Sequence, residues 1–450
     1  MARTPPDGTL PKATVQETIS IFSAVLIPTL AKGAIIRRPK VVGMSERLGL
    51  DRRAVRRLQK LSETYGDGPL LLRTPYKTMA LVLNPDHVHR VLEETPEPFA
   101  TDERTKRSAL AHFEPEVALI SRGGERAERR RFNEAVLDMG HAVHCMADRF
   151  LPVVDQEAQA LLKNVQERGG MLDWDRFIET WFRIVRRVVL GDSARDDHEL
   201  TTLLGDLRAD ANWGFARPKR KQLKERFFER LHSHLGRAEP GSLAALMANT
   251  RSNEKTAPAN QVPQWLFAFD PAGMATFRAL GLLAAHRDHI ERARAEIASD
   301  KATLHPELNF LRACVLESLR LWPTSPMILR ESTEPTHWAA GAMPAGTSIL
   351  VFAPYFHRDD RHLDYADRFS PELWLEPRDA KDWPLVPFSG GSGICPGRHL
   401  VMLLTSTLLA RLIEHRDVRL EPPHRLDASQ PMPALLDNYT LRFRLGEARD

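Results

Sequence analysis

The stretch FSGGSGICPGRHL, residues 388–400, places Cys395 among four glycines and directly before Pro396. The run that follows predicts a helix, and proline suits its first turn because it has no N–H to leave unpaired. The cysteine therefore lies just ahead of a helix N-terminus, where free N–H groups and the helix dipole stabilise a thiolate. Glycines let the backbone take positive φ angles and approach a flat cofactor closely. The loop favours thiolate ligation of haem iron, and the alternative is a structural turn.

Composition narrows the class of protein. The three cysteines, Cys145, Cys314 and Cys395, form no CxxC pair. Their odd, scattered count argues against a disulfide framework and against a zinc site, and it suits a reducing, cytoplasmic compartment. The formal net charge of +4 is too small to indicate nucleic-acid binding, and no zinc-finger spacing accompanies it.

Helical periodicity dominates the chain, and strand signals are few and short. Hairpins are predicted over residues 70–83 and over 338–352, an exposed linker over 249–261, and a long irregular segment over 354–395. We therefore predict a mainly α fold with a small β-sheet region, in which residues 46–450 form a single domain. The predicted helices cover residues 51–64, 86–94, 124–138, 143–166, 174–190, 262–284, 288–298, 306–321 and 397–415.

Residues 1–45 are predicted to be an N-terminal extension or a helix that packs on the domain. Their apolar run ISIFSAVLIPTL, residues 19–30, is too short to span a bilayer. Two interpretations stay open, a packed helix and an interfacial helix that makes a weak membrane contact. No cleavable signal peptide is evident in this region.

A charged pair lies in the segment FLRACVLESLRLWP, residues 310–323. Glu317 and Arg320 are three residues apart, so they share one face of a helix and can bond each other. Because their flanks are apolar, we expect a buried pair that fixes geometry more than it adds stability. The alternative is a surface salt bridge, worth about 0–1 kcal/mol.

The segment WLFAFDPAGMATFRALGLLA, residues 265–284, is apolar on nearly every side and predicts a buried central helix. Pro271 interrupts its hydrogen bonding, and the small residues Ala272 and Gly273 leave room for a ligand. Asp270 is a charge within the apolar run. Thr276 is either a functional hydroxyl or a core threonine that bonds the carbonyl four residues earlier.

The spacing of Phe388, Gly391, Cys395 and Gly397 resembles the haem-binding signature of the cytochromes P450. The resemblance extends from the hairpin near residue 70 to the cysteine loop and is closest to the soluble bacterial type. It implies a single P450-type helical domain that holds haem b (iron protoporphyrin IX) between the central helix and the loop. Cys395 is then the metal ligand of the haem iron.

The resemblance also implies roles for the other motifs. Glu317 and Arg320 match the family's ExxR network, and Ala272, Gly273 and Thr276 match its oxygen-binding helix, with Thr276 and Asp270 as catalytic candidates. The candidates for pairing with the haem propionates are Arg330, Arg130 and Arg129. The candidate substrate-pocket residues are Phe269, Met274, Ser325, Pro326, Met327 and Ile328.

Three positions depart from the family pattern. Gly393 stands where a basic residue usually pairs with a propionate, and Ala275 stands where the oxygen helix usually carries an acid. Leu373, in FSPELW, stands where a second arginine usually completes the ExxR network, and Arg368 is the nearby candidate to replace it. Asp270 lies about 240° round the helix from Thr276, so it replaces the missing acid only if the helix is distorted.

The function implied by the resemblance is that of a monooxygenase, an oxidoreductase of the EC 1.14 type. It would insert one oxygen atom from O2 into a small apolar organic substrate, with electrons from a ferredoxin-type donor and its reductase. Three alternatives stay open. They are a peroxide-driven peroxygenase, an atypical enzyme for oxidative coupling, ring formation or nitration, and a non-enzymatic haem-binding protein.

Overall fold

The computed structural model describes residues 8–66, 68–75, 77–214, 217–300, 307–379 and 381–448. Its α-helices are α1 (Val15–Ile21), α2 (Ile27–Ala31), α3 (Pro39–Arg47), α4 (Leu50–Tyr65), α5 (Pro85–Glu93), α6 (Arg104–Leu110), α7 (Gly123–Val136), α8 (Ala147–Glu167), α9 (Trp174–Leu190), α10 (His198–Ala211), α11 (Lys221–Arg237), α12 (Leu243–Asn249), α13 (Pro258–Ala285), α14 (Arg287–Ser299), α15 (Asn309–Leu321), α16 (Ala353–His357) and α17 (Arg398–Ile413). Its strands are β1 (Leu70–Leu72), β2 (Met79–Leu81), β3 (Phe99–Ala100), β4 (Met171–Asp173), β5 (Met327–Ser332), β6 (Thr336–Trp338), β7 (Gly341–Met343), β8 (Ser348–Phe352), β9 (Arg416–Leu420) and β10 (Arg442–Ala448).

Helix α13 is the central element of the fold and packs against α15, α9 and α17. It is long and apolar enough to cross a membrane, but 83% of its apolar window is buried inside the protein, so it is a core helix. It begins at Pro258, after Ala257 takes a left-handed conformation, because proline is favoured at a first helical position. The predicted linker over 249–261 is therefore wrong in its last residues, and Gln261 is fully buried.

The helices predicted from periodicity are confirmed to within about four residues at their ends, and α9 matches its predicted bounds of 174–190. Helix α15 begins at Asn309, and residue 306, the predicted start of that helix, lies outside the described residues. Helix α13 begins four residues before its predicted start at 262, and α8 begins at Ala147, four residues after its predicted start at 143. The side chain of His144 causes this difference, because its Nδ1 accepts the backbone N–H of Met146 at 3.1 Å and forms a turn before the helix. Local side-chain bonds of this kind compete with helical hydrogen bonds.

The main sheet has five strands in the order β1-β2-β8-β5-β3. The predicted hairpin over 70–83 is confirmed, since β1 and β2 pair antiparallel with Leu70 opposite Leu81. The predicted hairpin over 338–352 is wrong. Strand β7 pairs back onto β6, whereas β8 lies between β2 and β5. Every residue of β8 is buried, as expected of a strand with a neighbour on each side.

The N-terminal segment packs one side against the sheet and leaves the other side in solvent. Ile21 and Val25 are fully buried in a cluster that includes residues of β1 and β2. Val15, Ile19 and Ile27 are 61%, 63% and 58% exposed. The inner face is therefore part of the folded core, and the outer face presents large apolar side chains.

Candidate functional site

The cysteine loop is held by backbone geometry. Gly391 takes a φ of 56°, and a Cβ there would collide with the carbonyl oxygen of Leu92, so the position requires glycine. The N–H of Cys395 donates to the carbonyl of Phe388 at 2.9 Å. Gly397 is the N-cap of α17, which begins at Arg398. The cysteine thus lies two residues before the cap of a long buried helix, as the sequence predicts.

Burial and the polar neighbours of Cys395 shift the pKa of its thiol in opposite directions. Burial raises the pKa of the thiol, whereas the N–H of Gly397 and the cations of Arg130 and Arg398 lower it. The residue still keeps partial solvent accessibility. A metal ion that binds such a sulfur displaces the proton outright. Every polar neighbour then stabilises the thiolate.

Two arginines of α7 reach the cysteine loop. Arg130 donates to the carbonyl of Ile394 at 2.6 Å, and Arg126 donates to the carbonyl and hydroxyl of Ser392 at 3.0 and 3.1 Å. Arg129 turns away from the loop, because it donates to the Lys255 carbonyl. Sequence reasoning missed Arg126, although its spacing of four residues from Arg130 puts both on one face of the helix.

Arg330, on β5, explains the glycine at position 393. Its side chain donates to the hydroxyls of Thr95 and Ser389 at 3.0 and 3.1 Å. A Cβ at Gly393 would lie only 2.6 Å from its Nη2 atom. A larger residue at 393 would thus displace a buried guanidinium that already supplies positive charge to this place.

Arg330 is a buried cation without a carboxylate partner among the described residues. It is 3% exposed. Its pKa is lowered to about 10, mainly by burial and to a smaller extent by the nearby positive charge of Arg126. Lys106 lies close to it and donates to the carbonyls of Thr101 and Leu329. Burial, with the charge of Arg330, lowers the pKa of Lys106 to about 7, although Glu103 and Asp102 act to raise it.

These cations fit a haem. A buried charge that lacks an opposite charge costs several kcal/mol. Nη1 of Arg398, beside Cys395, is also buried, with no hydrogen-bond partner among the described residues. The two propionate carboxylates of a haem would supply the ion-pair partners that Arg330, Arg126 and Lys106 lack among the described residues, and Cys395 would supply a soft ligand for its iron.

Thr276 is fully buried on α13, and its hydroxyl donates to the carbonyl of Ala272 at 2.8 Å. Gly273 faces α9 rather than open space, since a Cβ there would lie 2.7 Å from the ring of Trp181. The glycine therefore permits close packing of two helices. Ala272, which is 5% exposed, is the small residue of this motif that shares the side of Thr276.

The structure does not bring Asp270 to Thr276. Its Oδ2 atom lies 2.6 Å from Nη2 of Arg208 on α10, and the same guanidinium donates to the carbonyl of Ile35. Ala275 is buried, and its carbonyl accepts the hydroxyl of Ser318. Pro271 lies inside the continuous helix α13 and does not turn Asp270 inward.

Glu317 and Arg320 form a fully buried ion pair with two hydrogen bonds, at 2.6 and 2.8 Å. The carboxylate also accepts the indole N–H of Trp374 at 2.9 Å. Trp374 thus satisfies the carboxylate where the family pattern has a second arginine. Arg368 contributes only its carbonyl to Arg320, while its exposed side chain bonds Asp364. The carbonyls that Arg320 bonds belong to His357, Tyr365, Ala366 and Arg368.

The predicted pocket residues divide into two groups. On α13, Phe269 and Met274 are 3% and 4% exposed; Phe269 packs against Trp181, and Met274 accepts the Tyr439 hydroxyl at 3.7 Å. Residues 325–328 lead into β5, which begins at Met327; Ser325 is exposed, Pro326 and Met327 are half-buried and Ile328 is buried. Phe388 is half-buried against the helical core.

Comparison with known proteins agrees with this geometry. The cytochrome P450 family model matches residues 216–439. Sugiol synthase of Salvia miltiorrhiza is 34% identical over 152 residues, which are 31% of each chain. Cyclooctat-9-en-7-ol 5-monooxygenase of Streptomyces melanosporofaciens is 33% identical over 149 residues, 31% of this chain and 32% of the relative. The chain thus aligns with about a third of the length of these curated relatives.

Solved structures extend the likeness over most of the chain. A zebra fish cytochrome P450 solved with abiraterone has a TM-score of 0.69 at 19% identity and covers 88% of this chain and 100% of its own. A cyanobacterial cytochrome P450 bound to retinoic acid has a TM-score of 0.68 at 19% identity, with 86% and 93% covered. At this level of identity the solved structures show that the chain has the fold of the cytochromes P450, and the family model assigns residues 216–439, about half of the chain, to the cytochrome P450 family.

Proposed function

We propose that the protein is a monooxygenase that inserts one oxygen atom from O2 into a small apolar organic substrate. The observation that carries the proposal is the half-buried Cys395 thiol, whose polar neighbours all favour the thiolate, beside cations that lack a carboxylate partner among the described residues. The relative from Streptomyces melanosporofaciens is named as a monooxygenase of cyclooctat-9-en-7-ol. That name supports an apolar organic substrate here.

The cofactor of this proposal is haem b. Cys395 would hold its iron, and Arg330, Arg126 and Lys106 would meet its propionates. When bound, a haem with a thiolate ligand would supply the reductive activation of O2, because the sulfur donates electron density to the iron. Arg130 and the Gly397 N–H favour the negative form of that sulfur, because both act to lower the pKa of the thiol. Glu317 holds the guanidinium of Arg320, which in turn fixes the backbone of residues 365–368 through hydrogen bonds to their carbonyls.

Thr276 is the residue proposed to move a proton. Its hydroxyl hydrogen is held by the Ala272 carbonyl and can transfer to a neighbouring acceptor when that bond exchanges. Ala275 leaves this hydroxyl without the usual acid, and Asp270 is engaged by Arg208. Water therefore completes the proton path in our proposal. This arrangement also supports the second candidate function, a peroxygenase, since hydrogen peroxide brings its own protons.

The electrons come from a ferredoxin-type protein and its reductase, since the 450 residues contain no GxGxxG fingerprint for a flavin or nicotinamide. Arg398 and His399 of the cysteine loop, with the basic residues of α7, form the proposed docking site for an acidic partner. The proposed location is the cytoplasm, which suits three free cysteines. The exposed apolar face of α1 and α2 is the proposed site of a weak membrane contact.

Two measurements test the proposal. Reduced protein treated with carbon monoxide should give a strongly red-shifted Soret band, which Cys395→Ser removes and Cys145→Ser, a matched exposed cysteine, retains. A histidine-like band, or a chain that binds no haem, contradicts the proposal. A substrate screen first identifies a compound that binds. Oxidation of this compound in the presence of ferredoxin, reductase and O2 supports the monooxygenase, and its oxidation with hydrogen peroxide alone supports the peroxygenase.

A further inference from the structure

The segment between α7 and α8 carries the sequence DMGHAVHC, residues 138–145. Ligand atoms of Asp138, His144 and Cys145 all lie within 4.8 Å of one another. His141 lies next to this cluster, because its Nδ1 lies 2.6 Å from a carboxylate oxygen of Asp138. A carboxylate, an imidazole and a thiol thus meet, with a second imidazole beside the carboxylate, and the proposed haem site uses none of them.

The ring of His144 is already oriented for a ligand. It is 2% exposed, and its Nε2 lies 3.2 Å from the carbonyl of Val136, which can only accept, so Nε2 is the donor. The other nitrogen, Nδ1, then carries the lone pair, which accepts the N–H of Met146 at 3.1 Å, and it lies 3.8 Å from the Sγ of Cys145. Metal-binding histidines almost always donate their second ring N–H to a carbonyl or carboxylate in this way.

Asp138 is held in place by the same segment. Its Oδ2 accepts the N–H of Cys145 at 2.7 Å, and the residue takes a positive φ of 50°, a region that aspartate tolerates better than most residues. Each carboxylate oxygen keeps a second lone pair after accepting one hydrogen bond. Hydrogen-bonded carboxylates of this kind are ordinary metal ligands. The bonds therefore orient the ligand without occupying it.

We propose that Asp138, His141, His144 and Cys145 bind a zinc-class divalent metal ion. Nitrogen, sulfur and oxygen donors in a set of four match the tetrahedral coordination of Zn²⁺, and a thiolate with a carboxylate balances its two positive charges. Calcium and magnesium prefer oxygen ligands, so they do not suit this set. Binding requires the Nδ1 of His144 to exchange the Met146 N–H for the metal and the exposed His141 ring to turn inward.

The site lies against the cysteine loop. A Cβ at Gly397 would lie 3.6 Å from the side chain of Leu137, one residue before Asp138. Arg130 contacts the sulfur of Met139 at 3.3 Å and the carbonyl of Ile394 at 2.6 Å. A bound ion therefore fixes a segment that packs beside Cys395. The proposal does not depend on the proposed oxygen chemistry.

The first test needs no variant. The haem-containing full chain is treated with a thiol-alkylating reagent, with and without equimolar Zn²⁺, and the modified peptides are mapped by mass spectrometry. Zinc should slow alkylation of Cys145 strongly, EDTA should restore it, and Mg²⁺ should leave it unchanged. Cys314 is buried and serves as an internal reference. Equal alkylation of Cys145 with and without zinc overturns the proposal.

Equilibrium dialysis with metal analysis gives the stoichiometry, which should be one zinc per chain. Cys145→Ser should abolish this binding, and Asp138→Asn should weaken it. His415→Ala, which removes an exposed histidine elsewhere, should leave it unchanged. Unchanged haem spectra show that the variants are folded. Zinc binding that survives Cys145→Ser at full affinity overturns the proposal.

Discussion

At the scale of single residues, Arg330 supplies the positive charge that Gly393 lacks. The guanidinium of Arg330 fills the space that a side chain at 393 would enter, 63 residues further along the chain. The spacing of the cysteine loop shows that a basic residue is missing there. It does not show which distant cation replaces it, because that depends on how β5 packs beside the loop. Arg330 was predictable as a family match, whereas Thr95, Ser389 and Lys106 were not, because only the folded chain brings them together.

Moving the positive charge from position 330 to position 393 tests whether Arg330 replaces the missing basic residue. Arg330→Ala should lower haem retention, because a propionate then loses its buried cation, a loss of about 3–5 kcal/mol for a broken buried pair. Adding Gly393→Arg in the same chain should restore part of that retention by returning the charge from the family's usual position. The haem-to-protein ratio after dialysis measures both effects. Full haem retention in Arg330→Ala alone contradicts the assigned role.

Glu114 should make the free energy of unfolding depend on pH. Its side chain is fully buried beside Gln264, and burial raises its pKa well above the usual range despite the opposing charge of Arg208. The folded chain therefore binds a proton that the unfolded chain releases above about pH 4.3. The free energy of unfolding should fall as pH rises from that value through the raised pKa. Glu114→Gln should flatten this dependence in urea titrations, and an equally steep dependence in the variant contradicts it.

At the scale of elements, the sequence pattern predicted the helices and the hairpin of β1 and β2, and it failed for the pairing of β8. An apolar stripe is a local property, so α9 could be read from its own 17 residues. The partners of β8 are β2 and β5, of which β2 lies more than 260 residues away, so its place in the sheet has no local signal. The 3₁₀ turn that brings Trp374 to Glu317 was missed for the same reason. Short strands and turns are placed by tertiary packing.

The outer face of α1 and α2 is an element whose membrane contact can be measured. Ile19 and Ile27 are both exposed, and burying such a side chain in lipid contributes about 1.5–3 kcal/mol. Replacing both by serine should therefore lower co-sedimentation with lipid vesicles strongly. Gln16→Ser, an exposed polar change on the same helix, should leave it unchanged. Equal sedimentation of the wild-type chain with and without vesicles contradicts a membrane contact.

At the scale of the whole molecule, buried charges join segments that are far apart in sequence. Arg208 links α10 to α13 through Asp270, and to the N-terminal segment through the carbonyl of Ile35. The side chains of Arg208 and Asp270 are 5% and 14% exposed, so their attraction is only weakly screened by water. The charge in the oxygen helix that stood out in the sequence therefore ties three segments together. Thr276, six residues later, stays the proposed proton-moving group.

Paired variants separate these two roles. Asp270→Asn leaves Arg208 buried without its partner, so it should lower the free energy of unfolding by about 3–5 kcal/mol. The variant should still direct the same share of electrons into product. Thr276→Val is close in size, so it should keep most of the stability and release more hydrogen peroxide per electron consumed. Chemical denaturation and peroxide assays on both variants decide between the roles. If Asp270→Asn raises peroxide release as much as Thr276→Val does, the carboxylate takes part in proton delivery and its pairing with Arg208 must open during turnover.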